Sequence, residues 1–106
     1  AKVYTGSCAV GPHLTIGREA LADDAKISLE ITRAGDLAFS GSTDLTQLKR
    51  SIDELVEALY RELDFPKGAM LMTGTGVVPG TDFTLTAGDV VKIEIEGLGT
   101  LENKVA

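Results

Sequence analysis

The chain has 106 residues, 43% of them hydrophobic, with a formal net charge of -6, one cysteine and one histidine. At this length the expectation is one domain or part of one, with a core that removes roughly two-thirds of the unfolded surface from water. The acidic balance argues against nucleic acid, whose phosphates need clustered Lys and Arg, and against an anionic membrane surface.

No apolar run approaches the roughly 18 residues of a membrane-spanning helix, so a soluble protein is expected. The opening "AKVYTGSCAV" lacks a basic segment followed by a long apolar one, so no signal peptide is expected. It also lacks an initiator Met, which a processed terminus or a fragment of a longer chain would explain. Cys8 has no second cysteine to pair with, which fits a reducing cytoplasm. One Cys and one His do not make a zinc site.

Residues 26–34, "KISLEITRA", place Ile27, Leu29 and Ile31 on one side and Ser28, Glu30 and Thr32 on the other. That alternation predicts a half-buried strand. Gly35-Asp36 is the expected turn, and residues 37–40 return as its hairpin partner. Over 48–63, Leu48, Ile52, Leu55, Val56, Leu59 and Leu63 recur at spacings of three and four, which predicts an amphipathic helix. Lys49–Asp53, Arg50–Glu54 and Glu57–Arg61 are opposite charges four apart on its wet face. Asp44, with Gln47 three residues on, is the expected cap, and Pro66 the stop.

After Lys67-Gly68 the pattern is β again. Residues 69–73 are expected as a buried strand that ends in Thr73-Gly74-Thr75-Gly76. Residues 89–96, "DVVKIEIE", put Val91, Ile93 and Ile95 inward and Lys92, Glu94 and Glu96 outward. Ala87-Gly88-Asp89 turns into this strand, and Gly97-Leu98-Gly99 turns out of it into 100–105. The expected class is α+β and β-rich, with mixed, mostly antiparallel sheets and one main helix.

The glycine-rich stretch fails the phosphate motifs. No Lys follows Gly80 as a P-loop requires, and Pro79 occupies the third glycine position of a dinucleotide fingerprint. What remains is either an ordinary turn with a threonine or a strand end whose amides and hydroxyls can meet a carboxylate. Glu94 and Glu96 share a strand face and could hold a hard cation, but a solvated face is the commoner meaning of such a pair. His13 reads as a surface or capping residue and Cys8 as a small buried hydrophobe.

Three stretches then become familiar in order. "AKVYTGSCAVGPHLTI" (1–16), "GAMLMTGTGVVPG" (68–80) and "LTAGDVVKIEIEGLGTLENKV" (85–105) resemble the lysine segment, the TGT loop and the closing motif of the fumarylacetoacetate hydrolase family. The closing motif is long and specific. The resemblance covers nearly the whole chain, and "KVYTGSCAVGP" resembles the family's sugar-acid branch, the 2-keto-3-deoxy-pentonate dehydratases, more than the classical hydrolase.

The resemblance implies a C-terminal catalytic-domain segment over 1–106. It implies Mg²⁺ or another divalent cation, a 2-oxo or 1,3-dioxo acid substrate that undergoes C–C bond hydrolysis, decarboxylation or, for a 2-keto-3-deoxy sugar acid, dehydration through a metal-stabilised enolate, and a homodimer when full length. It matches Lys2 to the lysine beside the metal, and Gly74 and Thr75 to the Gly-Thr that receives the substrate's carboxylate end. The family's metal ligands precede the lysine segment, so none is expected in this chain, Glu94 and Glu96 included. An intact catalytic cycle is not expected of these residues alone, and Lys2 is expected to be exposed and mobile in them. The alternative is a non-catalytic ligand-binding or interaction module without the metal half.

Overall fold

Strand β1 (Lys26–Arg33) follows from the Ile27, Leu29, Ile31 alternation, and it forms the spine of the fold. The computed structural model describes residues 5–17 and 21–106. β1 pairs on one side with β2 (Asp36–Asp44) and on the other with β3 (Val90–Ile95), which in turn pairs with β4 (Gly99–Lys104). The sheet has the order β2-β1-β3-β4, and every pairing is antiparallel. The β-rich α+β class therefore holds, with one antiparallel sheet rather than a mixed one among the described residues.

The first hairpin turns at Ala34-Gly35, one residue earlier than the expected Gly35-Asp36, because Arg33 and Asp36 are already partners. Both turn residues have positive φ, 52° and 92°, the left-handed twist that a two-residue connection needs. β2 runs four residues beyond the expected end at Ser40. A register shift between Ile31 and Thr32 leaves Ala38 as an extra residue, a bulge that sharpens the local twist.

The helix is shorter than its apolar periodicity suggests. α1 covers Ile52–Tyr60 and is capped by Ser51, not Asp44. The Glu54 amide donates to Ser51 Oγ at 3.2 Å, and the Ser51 amide donates to Glu54 Oε2 at 2.7 Å. This reciprocal box satisfies two donors that a helix start leaves open, and the Ser51 amide first, then the Ser51 hydroxyl donating to Glu54 Oε2 at 3.0 Å, draw the Glu54 carboxyl below its usual range. Asp44 instead caps the short 3-10 helix Leu45–Gln47 by accepting from the Thr46 amide at 2.9 Å. Lys49 and Arg50 precede the α-helix, yet the Arg50 charge still acts on the Glu54 carboxylate, and Glu57–Arg61 forms as expected at 3.8 Å. The apolar face is only half covered: Leu55 and Leu59 are half-buried, whereas Ile52 and Val56 are exposed.

Residues 69–73 form no strand and join no ladder among the described residues, contrary to the buried strand expected there. Met70 and Met72 are 74% and 79% exposed. A run of apolar residues becomes a buried strand only where a neighbour takes its backbone bonds and covers its side chains. Val91, Ile93 and Ile95 are half-buried along β3, but so is Lys92 between them, although expected outward; Glu94 is exposed.

Among the described residues the buried positions are Ala25, Ile31, Val77 and, unusually, the acid Asp89, which is 1% exposed. Asp89 precedes β3 and receives a two-pronged contact from Arg33, the last residue of β1. Arg33 Nε donates to Oδ1 at 2.8 Å and Nη2 to Oδ2 at 2.8 Å. The Thr86 amide donates to Oδ2 at 2.9 Å and its hydroxyl to Oδ1 at 3.2 Å. The guanidinium first, then the Thr86 amide, hold the Asp89 carboxyl far below the ordinary carboxylate range, against the effect of burial.

Asp89→Asn is expected to lower the melting temperature at neutral pH by on the order of 10 °C, since the guanidinium would face a neutral amide. The folded pKa lies below the unfolded value of about 3.9, so the carboxylate's contribution is full above about pH 5 and is lost as pH falls from there through the folded pKa. The gap between parent and variant should therefore narrow in acid. Thermal melts from about pH 7 to about pH 2 check this, and a constant gap would show that the charge contributes nothing.

Candidate functional site

The loop after residues 69–73 is held against β2 by two glycines that interlock with side chains. A Cβ built on Gly41 in β2 would stand 2.8 Å from Val77 Cγ2 and 3.2 Å from the tip of the Phe39 ring. A Cβ on Gly76 in the loop would stand 2.8 Å from Thr43 Oγ1. Strand and loop thus approach closely because each lacks a side chain where the other needs room. Val77 is buried by this arrangement.

Ahead of that anchor the loop is open. Gly74 has φ +86°, where a side chain is strained, and nothing lies within 4 Å of its missing Cβ. Thr75 Oγ1 accepts from the Val77 amide at 3.2 Å. A hydroxyl has one proton and two lone pairs, so this bond orients Thr75 and leaves its proton available to an incoming oxygen. Gly74 and Thr75 are both exposed.

The far side of the loop is clasped from β1. Arg33 Nη2 donates to the Thr84 carbonyl at 2.9 Å, and the guanidinium lies over the Phe83 ring at 5.5 Å. Phe83 meets Phe39 at a centroid distance of 6.0 Å, and the Phe83 amide closes a turn onto the Gly80 carbonyl at 3.0 Å. Asp89, Arg33, Phe83 and Phe39 thus form a continuous set of contacts, and Phe39 shares the space beside Gly41 with Val77, at the base of the Thr75 turn.

The structure brings Gly74 and Thr75 together, while Lys2 lies outside the described residues. Cys8 is exposed, not buried as expected from its type. Gly11 approaches Leu101 Cδ1 of β4, and the residues flanking Cys8 are exposed or half-buried with it. His13 is at the surface. Glu94 is exposed, and β3 ends before Glu96, whose carboxylate accepts from the Lys26 amide at 3.3 Å. The described residues gather no cluster of three or more His, Cys, Asp or Glu side chains fit for a metal, so a divalent ion has no cage among them. No helix among them is long and apolar enough to cross a membrane.

Arg33 and Asp89 escaped sequence reasoning, although a signal was present. Asp89 has the same parity as Val91, Ile93 and Ile95, and Arg33 the same parity as Ile27, Leu29 and Ile31. Carrying each alternation one step further points both charges toward the covered face. The Ile31–Val91 pairing then sets them side by side.

The model of the family described as "Fumarylacetoacetate (FAA) hydrolase C-terminal" matches residues 1–106. A probable 2-keto-3-deoxyxylonate dehydratase of Haloferax volcanii is 39% identical over 99% of this chain and 37% of its own length. A 2-dehydro-3-deoxy-D-arabinonate dehydratase of Saccharolobus solfataricus is 38% identical over 95% of this chain and 34% of its own. The solved structure of a 2-keto-3-deoxy-D-arabinonate dehydratase complexed with magnesium and 2,5-dioxopentanoate superposes with a TM-score of 0.88 at 36% identity. It covers 96% of this chain and 37% of that one. The chain thus spans about a third of the length of these relatives.

Gly41→Ala should destabilise the fold by about 1–3 kcal/mol, because the new methyl collides with Val77 and Phe39 at the anchor. Urea unfolding measures it. A loss below about 0.5 kcal/mol would mean that the loop slides aside freely and is not held as described.

Proposed function

The chain belongs to the fumarylacetoacetate hydrolase C-terminal family, and on that footing we propose that it is the substrate-contacting part of a lyase that removes water from a 2-keto-3-deoxy sugar acid. The dehydratases similar to it over nearly its whole length support that reaction class, and one of them was solved with a 2-oxo acid bound. The observation that carries the reading is the Gly74-Thr75 loop. Bare backbone at Gly74 gives an oxygen access, and the Thr75 hydroxyl keeps its proton to donate. A carboxylate is the matching partner.

The magnesium of the solved relative is proposed for the whole protein, with ligands outside the described residues. The role assigned to this chain is accordingly to bind and orient the acid. Lys2 is proposed as the cation beside the reacting end. A homodimer is proposed from the family resemblance, and a cytoplasmic setting from the single cysteine.

Two measurements test this. In the complete enzyme, Thr75→Val keeps the shape and removes the donor, and should cost roughly 1–3 kcal/mol in kcat/KM toward the sugar acid. An unchanged kcat/KM would leave Thr75 a turn residue only. Titration calorimetry of Mg²⁺ into the 106-residue chain should give binding no tighter than about 1 mM, as the described residues gather no group of three or more His, Cys, Asp or Glu side chains that could hold the ion. Micromolar binding would place a metal site within these residues and redraw the assignment.

A further inference from the structure

We propose that Phe83, held in place by Arg33, is a positioning residue for the Gly74-Thr75 turn and so sets how firmly the substrate's carboxylate end is gripped. The proposal rests on the reading of that turn as a substrate contact. The proposed route from Phe83 to Thr75 runs through Phe39 and Val77. The influence is carried by packing, and each link is geometric.

Arg33 fixes the ring from above, with its guanidinium 5.5 Å from the centroid and its Nη2 on the neighbouring Thr84 carbonyl. Arg33 is itself immobilised by the buried Asp89, so the clamp has a rigid base. The other side of Phe83 meets Phe39 at 6.0 Å. Phe39 and Val77 flank one point, the place a Cβ on Gly41 would take, at 3.2 and 2.8 Å, so the two side chains are neighbours across that bare position. The Val77 amide donates to Thr75 Oγ1 and thereby aims the hydroxyl. A ring too small to brace Phe39 lets Val77 shift, and the hydroxyl's direction shifts with it.

Phe83→Leu removes the aromatic face and edge but leaves the Arg33–Asp89 pair in place, and Phe83→Tyr restores the ring. Amide hydrogen exchange and steady-state kinetics on the complete enzyme test the relay. In Phe83→Leu, exchange at the Val77 amide should quicken about tenfold. The Val105 amide, which donates to the Asp89 carbonyl at 2.8 Å, should be unchanged. KM for the sugar acid should rise about fivefold with kcat within a factor of about two, and Phe83→Tyr should bring both readouts back.

Unchanged exchange at Val77 overturns the relay even if Thr75→Val lowers kcat/KM. Equal quickening at Val77 and Val105 overturns it too, as general loosening. Quickening confined to Val77 with unchanged KM overturns the proposal through its premise, and in that case Thr75→Val should also be silent.

Discussion

The fold depends on one buried carboxylate. Asp89 stands where four pieces of chain meet: the end of β1, the start of β3, the tail after β4 and the 83–86 segment. Its side chain binds Arg33 and Thr86, its carbonyl accepts from Val105, and Gly88 beside it donates to the Val105 carbonyl. An ionised carboxylate out of water is costly unless its oxygens are bonded, and both oxygens here are. The requirement works in reverse as a constraint. Arg33 must reach inward, Thr86 must turn its amide toward the pair, and Phe83 and Thr84 are drawn against the guanidinium. The apolar core, with Ala25, Ile31 and Val77 covered, is small enough that this polar corner organises the structure as much as burial does.

The sheet was legible because β1 and β3 alternate with period two and face one another in register. The same alternation marked Arg33 and Asp89, but charged residues at strand ends are usually solvated, so their parity went unused. The helix start was misplaced because Leu48 fits the apolar period by spacing alone. Ser51-x-x-Glu54 is the stronger signal, since it satisfies donors that spacing leaves open. Residues 69–73 were misjudged for a different reason. Apolar content reports a wish for cover, whereas a strand needs a partner backbone, and no sequence pattern within the segment says where that partner is.

The loop could be read only in part. That glycine and threonine at 74–75 admit an oxygen follows from residue type. That Gly76 and Gly41 are spacers, each accepting the other element's side chain, does not, because Gly41 lies some 35 positions away in β2. The four-residue run Thr73–Gly76 thus serves two ends. Its last glycine lets the loop pack, and its first leaves the backbone bare.

This division bears on how an anion would be held. The chain carries a net charge of -6, and the guanidinium nearest the loop's far side is neutralised by Asp89. Gly74 and Thr75 therefore offer hydrogen bonds without a formal positive charge of their own. Neutral donors orient a carboxylate well but attract it weakly through water, where unit charges a few ångströms apart gain only about 1 kcal/mol. On the proposed reading, attraction comes from the cationic end of the site, where Lys2 and the relatives' magnesium are assigned, and the loop supplies direction. Direction is the property that packing controls. The residues that matter most in this chain would then be those that keep Thr75 aimed, from Asp89 and Arg33 through Phe83 to Val77, and not those that carry charge toward the substrate.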